Sequence, residues 1–200
     1  MAGIYIDVDT SDVGRLLRHM RNQLTPEQFD KLMRRTLREA GRIKRPIIRE
    51  SVKHYDVPSG FVSKGIGNPR IEGGGGSLRC VVPLKGPKGT IGGTFKASGG
   101  HYGWNPPAYR IRANIVRGQV STLPSRLTNQ GGQPPFRNTG AKGIGNTVMT
   151  RMGSGRFPLE HVSGLAMPQM PLNRARPELT ADILDRLEKR AIHNFNYLFG

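Results

Sequence analysis

The stretch that decides the fold class is Tyr-Arg-Ile-Arg-Ala-Asn-Ile-Val-Arg at residues 109–117. Apolar and polar side chains alternate along it. One side carries Tyr109, Ile111, Ala113 and Ile115, and the other carries Arg110, Arg112, Asn114 and Val116. A period of two predicts a strand in an antiparallel sheet that packs one face on a core and shows the other to water.

Further strands are predicted on both sides of this stretch. Residues 4–8 alternate in the same way, and residues 147–152 form a weaker strand pattern. Residues 77–84 place four apolar side chains on one side, namely Leu78, Cys80, Val82 and Leu84. Because Cys80 belongs to this apolar side, we expect a buried and unreactive thiol.

Helices are predicted towards both ends of the chain. Thr25-Pro26-Glu27-Gln28 is a helix start signal, with a Thr cap, Pro at the first helical position and Gln at the capping-box position. The following helix is basic on its outer faces and extends towards Lys53, and we expect Pro46 to kink it or to split off a last segment. Its basic faces fit either a solvated surface or a contact with an acidic protein or nucleic acid. A shorter helix capped by Ser11 precedes it, and another is predicted from about Pro177 to Tyr197.

Charge and glycine divide the chain of 200 residues, whose net charge is +17, into three parts. Residues 1–56 hold 12 basic and 8 acidic residues, residues 57–174 hold 15 and 2, and residues 175–200 hold 4 and 4. We predict a single α+β domain. Its antiparallel β-sheet core could close into a barrel, with the N-terminal and C-terminal helices packed on it. Long Gly/Pro-rich loops are expected at residues 86–104 and 122–145.

Several function classes are disfavoured by composition. No apolar stretch approaches 18 residues and the N-terminus lacks a signal-peptide pattern, so we expect no membrane contact. The five histidines are scattered, there is one cysteine, and residues 57–174 contain only the acids Glu72 and Glu160. We therefore expect no enzyme activity, no metal site and no cofactor. The repeated Lys-Gly-Ile-Gly-Asn at 64–68 and 142–146 opens no convincing helix after a strand, so it does not support a dinucleotide site.

Binding through positive charge is the chemistry that remains. A basic surplus of this size favours a polyanion or an acidic protein as the partner. Aromatic residues are too thinly interleaved to favour single-stranded nucleic acid. The candidate DNA-facing or partner-facing residues are Lys85, Lys88, Lys96, Arg110, Arg112 and Arg117.

Taken in order, the chain resembles the phage minor tail protein Z family, the tail completion proteins. The resemblance rests on three places: a basic helix ending at residues 51–58 followed by 61–64, the run from 156–159 through 162–164 to 166–170, and the closing amphipathic helix. Together these cover most of residues 28–198.

The resemblance implies a structural virion protein that completes the head-proximal end of the tail and takes part in head–tail joining. It implies a homo-oligomeric ring, with six subunits the commonest number, and no catalytic residues. The expected partners are tail tube, tail terminator or head-completion proteins, with contact to packaged DNA as a further possibility. Assembly would occur in the host cytoplasm, and the protein would reside in the tail or neck of the virion. The alternative from composition is a non-specific nucleic-acid-binding basic protein.

Overall fold

The computed structural model describes residues 4–9, 14–74, 77–99, 111–124, 127, 133–137 and 147–199. Helices and small antiparallel sheets share these residues, which confirms the predicted α+β class. None of the sheets closes into a barrel within the described ranges, so the structure gives no support to a barrel-like core.

The long helices lie towards the two ends of the chain, and most of the strands lie between them. Within the described residues, helices α1 to α6 span Gly14–Gln23, Pro26–Ala40, Lys44–His54, Ser59–Lys64, Gln169–Leu172 and Arg176–Phe199. Strands β1 to β11 span Ile4–Asp9, Arg70–Gly74, Ser77–Leu84, Lys88–Thr90, Lys96–Ser98, Arg112–Asn114, Ser121–Thr122, Phe136–Arg137, Val148–Arg151, Leu159–His161 and Ser163–Ala166.

The chain forms two compact units. The terminal unit comprises Met1–Ser51, Ser63–Gly86 and Pro171–Gly200, and the middle unit comprises Val52–Val62 and Pro87–Met170. The prediction of a single domain stays a prediction. The predicted three-part layout differs from this division, because residues 63–86 belong to the same unit as the two helical ends.

The terminal unit is built around a three-stranded antiparallel sheet in the order β1-β3-β2. Val82 of β3 lies opposite Ile6 of β1, and Cys80 lies opposite Ile71 of β2. The predicted strand at 77–84 is confirmed, and its apolar residues Leu78, Cys80, Val82 and Leu84 are buried. The expected strand at the N-terminus is confirmed as β1.

Helices α2 and α6 pack against one another in this unit, and α2 also contacts β2 and β3. Helix α6 buries Leu179, Ile183, Leu187 and Ala191, which is the apolar stripe expected of the closing helix. One polar pair lies in the core of the unit, where the Asn194 amide donates to Thr36 Oγ1 at 3.3 Å and both residues are buried.

The start of α2 is a reciprocal capping box, as predicted. The backbone N–H of Gln28 donates to Thr25 Oγ1 at 3.3 Å, and the backbone N–H of Thr25 donates to Gln28 Oε1 at 3.0 Å. These two bonds satisfy N–H groups that the first helical turn leaves without partners.

The kink predicted at Pro46 is wrong, whereas the alternative, a last segment split off from the helix, is confirmed as α3. The helix breaks earlier, in a 3₁₀ turn at Gly41–Ile43 where Arg42 leaves helical geometry with ψ of 18°. Pro46 is the third residue of α3. In the first turn of a helix the proline nitrogen replaces an N–H that has no intrahelical acceptor, so proline is tolerated there.

The described residues of the middle unit form three small antiparallel sheets, ordered β10-β9-β8, β11-β4 and β5-β6-β7. Its hydrophobic core comprises Ile91, Ile111, Ala113, Val148 and Val162. The strand predicted at 109–117 is shorter than expected. It is regular only at β6, followed by a bridge between Val116 and Tyr55, and residues 109 and 110 lie outside the described residues. The weaker strand predicted at residues 147–152 is confirmed as β9.

The predicted long loop at 86–104 is wrong for residues 86–99. This segment contains β4 and β5 and buries Ile91 and Phe95. Between the two strands the chain turns tightly, because the N–H groups of Thr94 and Phe95 donate to Thr90 O at 2.8 and 3.0 Å. Residues 100–104 lie outside the described residues.

The second predicted loop, 122–145, is only partly described. Its described part is irregular except at Thr122 of β7 and at the two-residue strand β8, so the prediction is wrong only at those residues. Most of the remaining residues in that range lie outside the described residues.

Phe95 fills a slot between two strands of the middle unit. A Cβ atom added at Gly89 of β4 would lie 2.6 Å from Phe95 Cε2, and one added at Gly164 of β11 would lie 2.7 Å from the same atom. Both glycines therefore make room for the aromatic ring.

Candidate functional site

The six basic residues predicted to face a partner are divided between the two units. Lys85 belongs to the terminal unit, where it follows β3 and is exposed. The middle unit contains Lys88, Lys96, Arg112 and Arg117, which are all exposed. Arg110 lies outside the described residues.

Lys96 and Arg112 share one face of the sheet β5-β6-β7. The register pairs Lys96 with Asn114, and pairs Arg112 with both Ser98 and Thr122. Side chains on directly paired strand residues lie on the same side of a sheet, and diagonal neighbours are about 7–8 Å apart. We call Lys96, Ser98, Arg112, Asn114 and Thr122 the basic sheet face.

The opposite face of the same sheet is buried only at its centre, because Ala113 is buried, Ala97 is half-buried and Ser121 is exposed. Ala97 pairs with Ala113, and Ala113 belongs to the hydrophobic core of the unit. Because β6 alternates between core and solvent, Arg112 is exposed and Ala113 is buried. The prediction that this stretch shows arginine to water is therefore confirmed for Arg112.

Arg117 follows β6 along a segment that pairs with residues 54–56. Its backbone N–H donates to His54 O at 2.9 Å, and the Asp56 N–H donates to Ile115 O at 3.1 Å. This pairing brings a carboxylate to the basic sheet face, where Asp56 Oδ1 lies 3.8 Å from Lys96 Nζ. The Lys96 side chain is 79% exposed, so the ion pair adds little stability and leaves the cation accessible.

Lys88 lies in a different sheet of the middle unit. It pairs with Ala166 in the two-stranded sheet β11-β4 and is exposed. The structure therefore brings two of the predicted residues, Lys96 and Arg112, onto one sheet face, whereas Lys88 belongs to another sheet.

A second exposed surface was not predicted. The loop between β9 and β10, residues 152–158, exposes Met152 and Phe157 by 44% and 69%. The Arg156 guanidinium lies 5.8 Å from the Phe157 ring centroid, and that of Arg151 lies 5.6 Å from the Phe136 ring. We call residues 152–158 the hairpin tip. The sequence signal that could have found it is an aromatic residue inside a basic run with two glycines.

The basic faces of α2 and α3 make contacts within the terminal unit. Arg34 donates to Gly73 O at 3.3 Å, and the Arg35 guanidinium lies 4.3 Å from the Tyr197 ring centroid. Arg49 pairs with Glu50 at 2.7 Å and with Asp182 at 3.4 Å. Hydrogen bonds to these two carboxylates, that of Glu50 foremost, raise the pKa of Arg49.

The two units have similar net charges but different numbers of acidic residues. The terminal unit holds 20 basic and 12 acidic residues, a net charge of +8, and the middle unit holds 11 and 2, a net charge of +9. The middle unit therefore has few carboxylates with which to neutralise its own cations.

Two other kinds of site are absent from the described part of the chain. It contains no group of three or more His, Cys, Asp or Glu side chains that could hold a metal ion. No helix among the described residues is long and apolar enough to span a bilayer.

Comparisons of the chain with protein-family models, with curated proteins and with solved structures found no match. The case for a function therefore rests on this chain's own residues and surfaces.

Proposed function

We propose that this protein is a structural subunit of a tailed-phage virion, forming a ring that completes the head-proximal end of the tail and takes part in head–tail joining. The observation that carries the proposal is the acid-poor middle unit with its basic sheet face, in a chain whose sequence resembles the tail completion proteins. The role is one of binding, without catalysis.

A sheet face of this kind suits repeated contacts in an assembly. Lys96 and Arg112 are held by strand pairing on a sheet whose central strand buries Ala113 in the core, so their backbone positions are fixed before any partner binds. A single exposed cation contributes little affinity, but a closed ring presents the same cations several times. A ring of six such subunits would offer its neighbours a collar of positive charge.

The partners that fit this role are the neighbouring tail tube, tail terminator or head-completion proteins, with packaged DNA as a further polyanion. In this proposal the subunits assemble in the host cytoplasm and then reside in the neck of the virion.

The test is to locate the protein in particles of the phage that encodes it. Mass spectrometry of purified virions should detect the chain, and gold-labelled antibodies should mark the head-proximal end of the tail. Cross-linking of the same particles should give oligomers of the chain, with hexamers the expected limit. Absence of the protein from mature, infectious particles would contradict the proposal.

Non-specific binding of nucleic acid is the second candidate, and the basic sheet face favours it as well. It predicts tight DNA binding by the isolated monomer, with an affinity that falls steeply as salt increases. Filter-binding measurements at about 150 mM salt separate the two candidates, because a virion subunit requires no tight DNA binding as a monomer.

A further inference from the structure

The hairpin tip concentrates apolar surface at one exposed turn. Among the described residues the exposed large hydrophobic side chains are Val120, Met152, Phe157, Ile192 and Tyr197. Two of these five lie within the seven residues of the tip. Single exposed apolar side chains are ordinary, whereas a cluster flanked by polar residues is typical of an interaction site.

The tip also carries positive charge and lacks negative charge. Together with Arg151, the last residue of β9, the tip has the sequence Arg-Met-Gly-Ser-Gly-Arg-Phe-Pro, with two arginines and neither Asp nor Glu. Arg156 lies beside the exposed Phe157 ring, so the cation and the aromatic surface are presented together. Phe, Met and Arg are among the residue types enriched at protein–protein interfaces.

The base of the tip is firmly held. Strands β9 and β10 pair in antiparallel register from Met149 with His161 to Arg151 with Leu159, and Met149 and Thr150 are buried. The Met152 N–H donates to Pro158 O at 3.1 Å, which closes the loop. A loop whose two ends are fixed loses less conformational entropy on docking than a free segment.

We propose that the hairpin tip docks into a different protein, one that offers an apolar socket rimmed by carboxylates. Phe157 and Met152 would fill the socket, and Arg151 and Arg156 would meet the acidic rim. This inference rests on the proposed function, in which the partner is a neighbouring protein of the tail or neck.

Charge argues against the other occupants of this surface. Both units of a second copy are positive, by +8 and +9, so a copy of this chain would on average repel the tip. Packaged duplex DNA would attract the arginines, but its bases are already paired and stacked and are not free to stack on an exposed Phe. An acidic protein satisfies both halves of the tip.

The test is site-specific photo-cross-linking in assembled virions. Phe157 is replaced by the photoreactive analogue benzoylphenylalanine, particles are irradiated, and the cross-linked peptides are identified by mass spectrometry. We expect a cross-link to a virion protein other than this one, at a segment rich in Asp or Glu. The matched control carries the same analogue at Val120, which is 61% exposed in the same unit and should not give that product.

A variant tests the same contact by its consequence. Phe157→Ser with Met152→Ser removes exposed side chains only, so the purified protein should keep its thermal midpoint. Loss of two interface anchors should weaken incorporation into particles at least about tenfold. Val120→Ser should be incorporated as the wild type is.

The outcomes separate the two proposals. Any of four results would overturn the docking inference. They are cross-links to another copy of this chain, cross-links to packaged DNA, no cross-link in virions that contain the protein, and wild-type incorporation of the double variant. Absence of the unaltered protein from virions would instead contradict the proposed function.

Discussion

The terminal and middle units carry nearly the same net charge, +8 and +9, but they differ in how many acidic residues they contain to pair with their cations. In the terminal unit, acidic side chains pair with neighbouring cations, as Asp182 does with Arg49 and Arg186, and Asp185 with Lys189. The middle unit has 11 basic residues and only two acidic ones. The shortage of carboxylates, more than net charge, therefore distinguishes the unit suited to an anionic partner.

Their cores differ as well. The terminal unit buries the long faces of α2 and α6 against each other, whereas the middle unit assembles small sheets around residues such as Phe95. The helical core includes the apolar stripe of α6, and the β core includes the fully buried ring of Phe95. Four experiments test this comparison.

The largest effect is expected from removal of the closing helix. A chain that stops before Glu178 loses the buried stripe of α6 and leaves the facing side of α2 without its partner. Each large apolar side chain removed from a core costs about 2–5 kcal/mol, so the terminal unit should not fold. Hydrogen exchange read separately for the two units should show loss of protection in α2 and β3. Retained protection there would show that α6 is not part of the core.

Phe95→Ala tests the middle unit. Its ring is fully buried between β4 and β11, so truncation should cost about 3–5 kcal/mol of unfolding free energy. Urea unfolding followed by circular dichroism measures the loss, and hydrogen exchange assigns it to β4 and β11. The matched control Phe157→Ala should change stability by less than about 0.5 kcal/mol, because that ring is exposed. Equal losses for the two variants would contradict the assigned burial.

The buried pair Thr36 and Asn194 gives a smaller effect in the terminal unit. Thr36→Val removes the acceptor of the Asn194 amide in a buried setting, which should cost about 1–3 kcal/mol. The double variant Thr36→Val with Asn194→Leu should lose less than the sum of the two single variants, because neither partner is then left unpaired. Thr180→Val, at an exposed position of α6, is the control. Additive losses in urea unfolding would show that the two side chains act independently.

The smallest expected effect concerns charge and leaves stability nearly unchanged. With a DNA duplex as the polyanion probe, Lys96→Gln with Arg112→Gln should reduce the slope of log affinity against log salt by about 1.8, or about 0.9 for each phosphate that the protein no longer neutralises. The control Arg186→Gln with Lys189→Gln removes the same charge from the terminal unit, where both cations pair with acids of α6. Equal slope changes would show that net charge alone governs binding.

The parts of the fold that could be predicted are those with a local physical signal. The capping box at Thr25 and Gln28, the alternating strand at 77–84 and the apolar stripe of α6 each needed only neighbouring residues. Proline alone could not predict where the helix breaks, because the effect of a proline depends on its distance from the start of the helix. Helix α3 begins only two residues before Pro46.

The middle unit was less predictable because its strands are short. The segment around Ile91 and Phe95 contains glycines and few apolar residues, and its structure depends on pairing with distant strands such as β11. For the candidate site, alternation predicted the exposure of Arg112. Only strand register, which sequence does not provide, placed Lys96 on the same face.

The slot that holds Phe95 has an evolutionary consequence. Positions 89, 95 and 164 share one volume, since either glycine could gain a methyl group only if the aromatic ring became smaller or moved. Across divergent relatives these three positions should therefore change together, although Gly89 and Gly164 are 75 residues apart in the chain. A relative with a larger residue at position 89 or 164 should carry a smaller side chain at position 95. Covariation of these three positions would therefore identify relatives that share this fold.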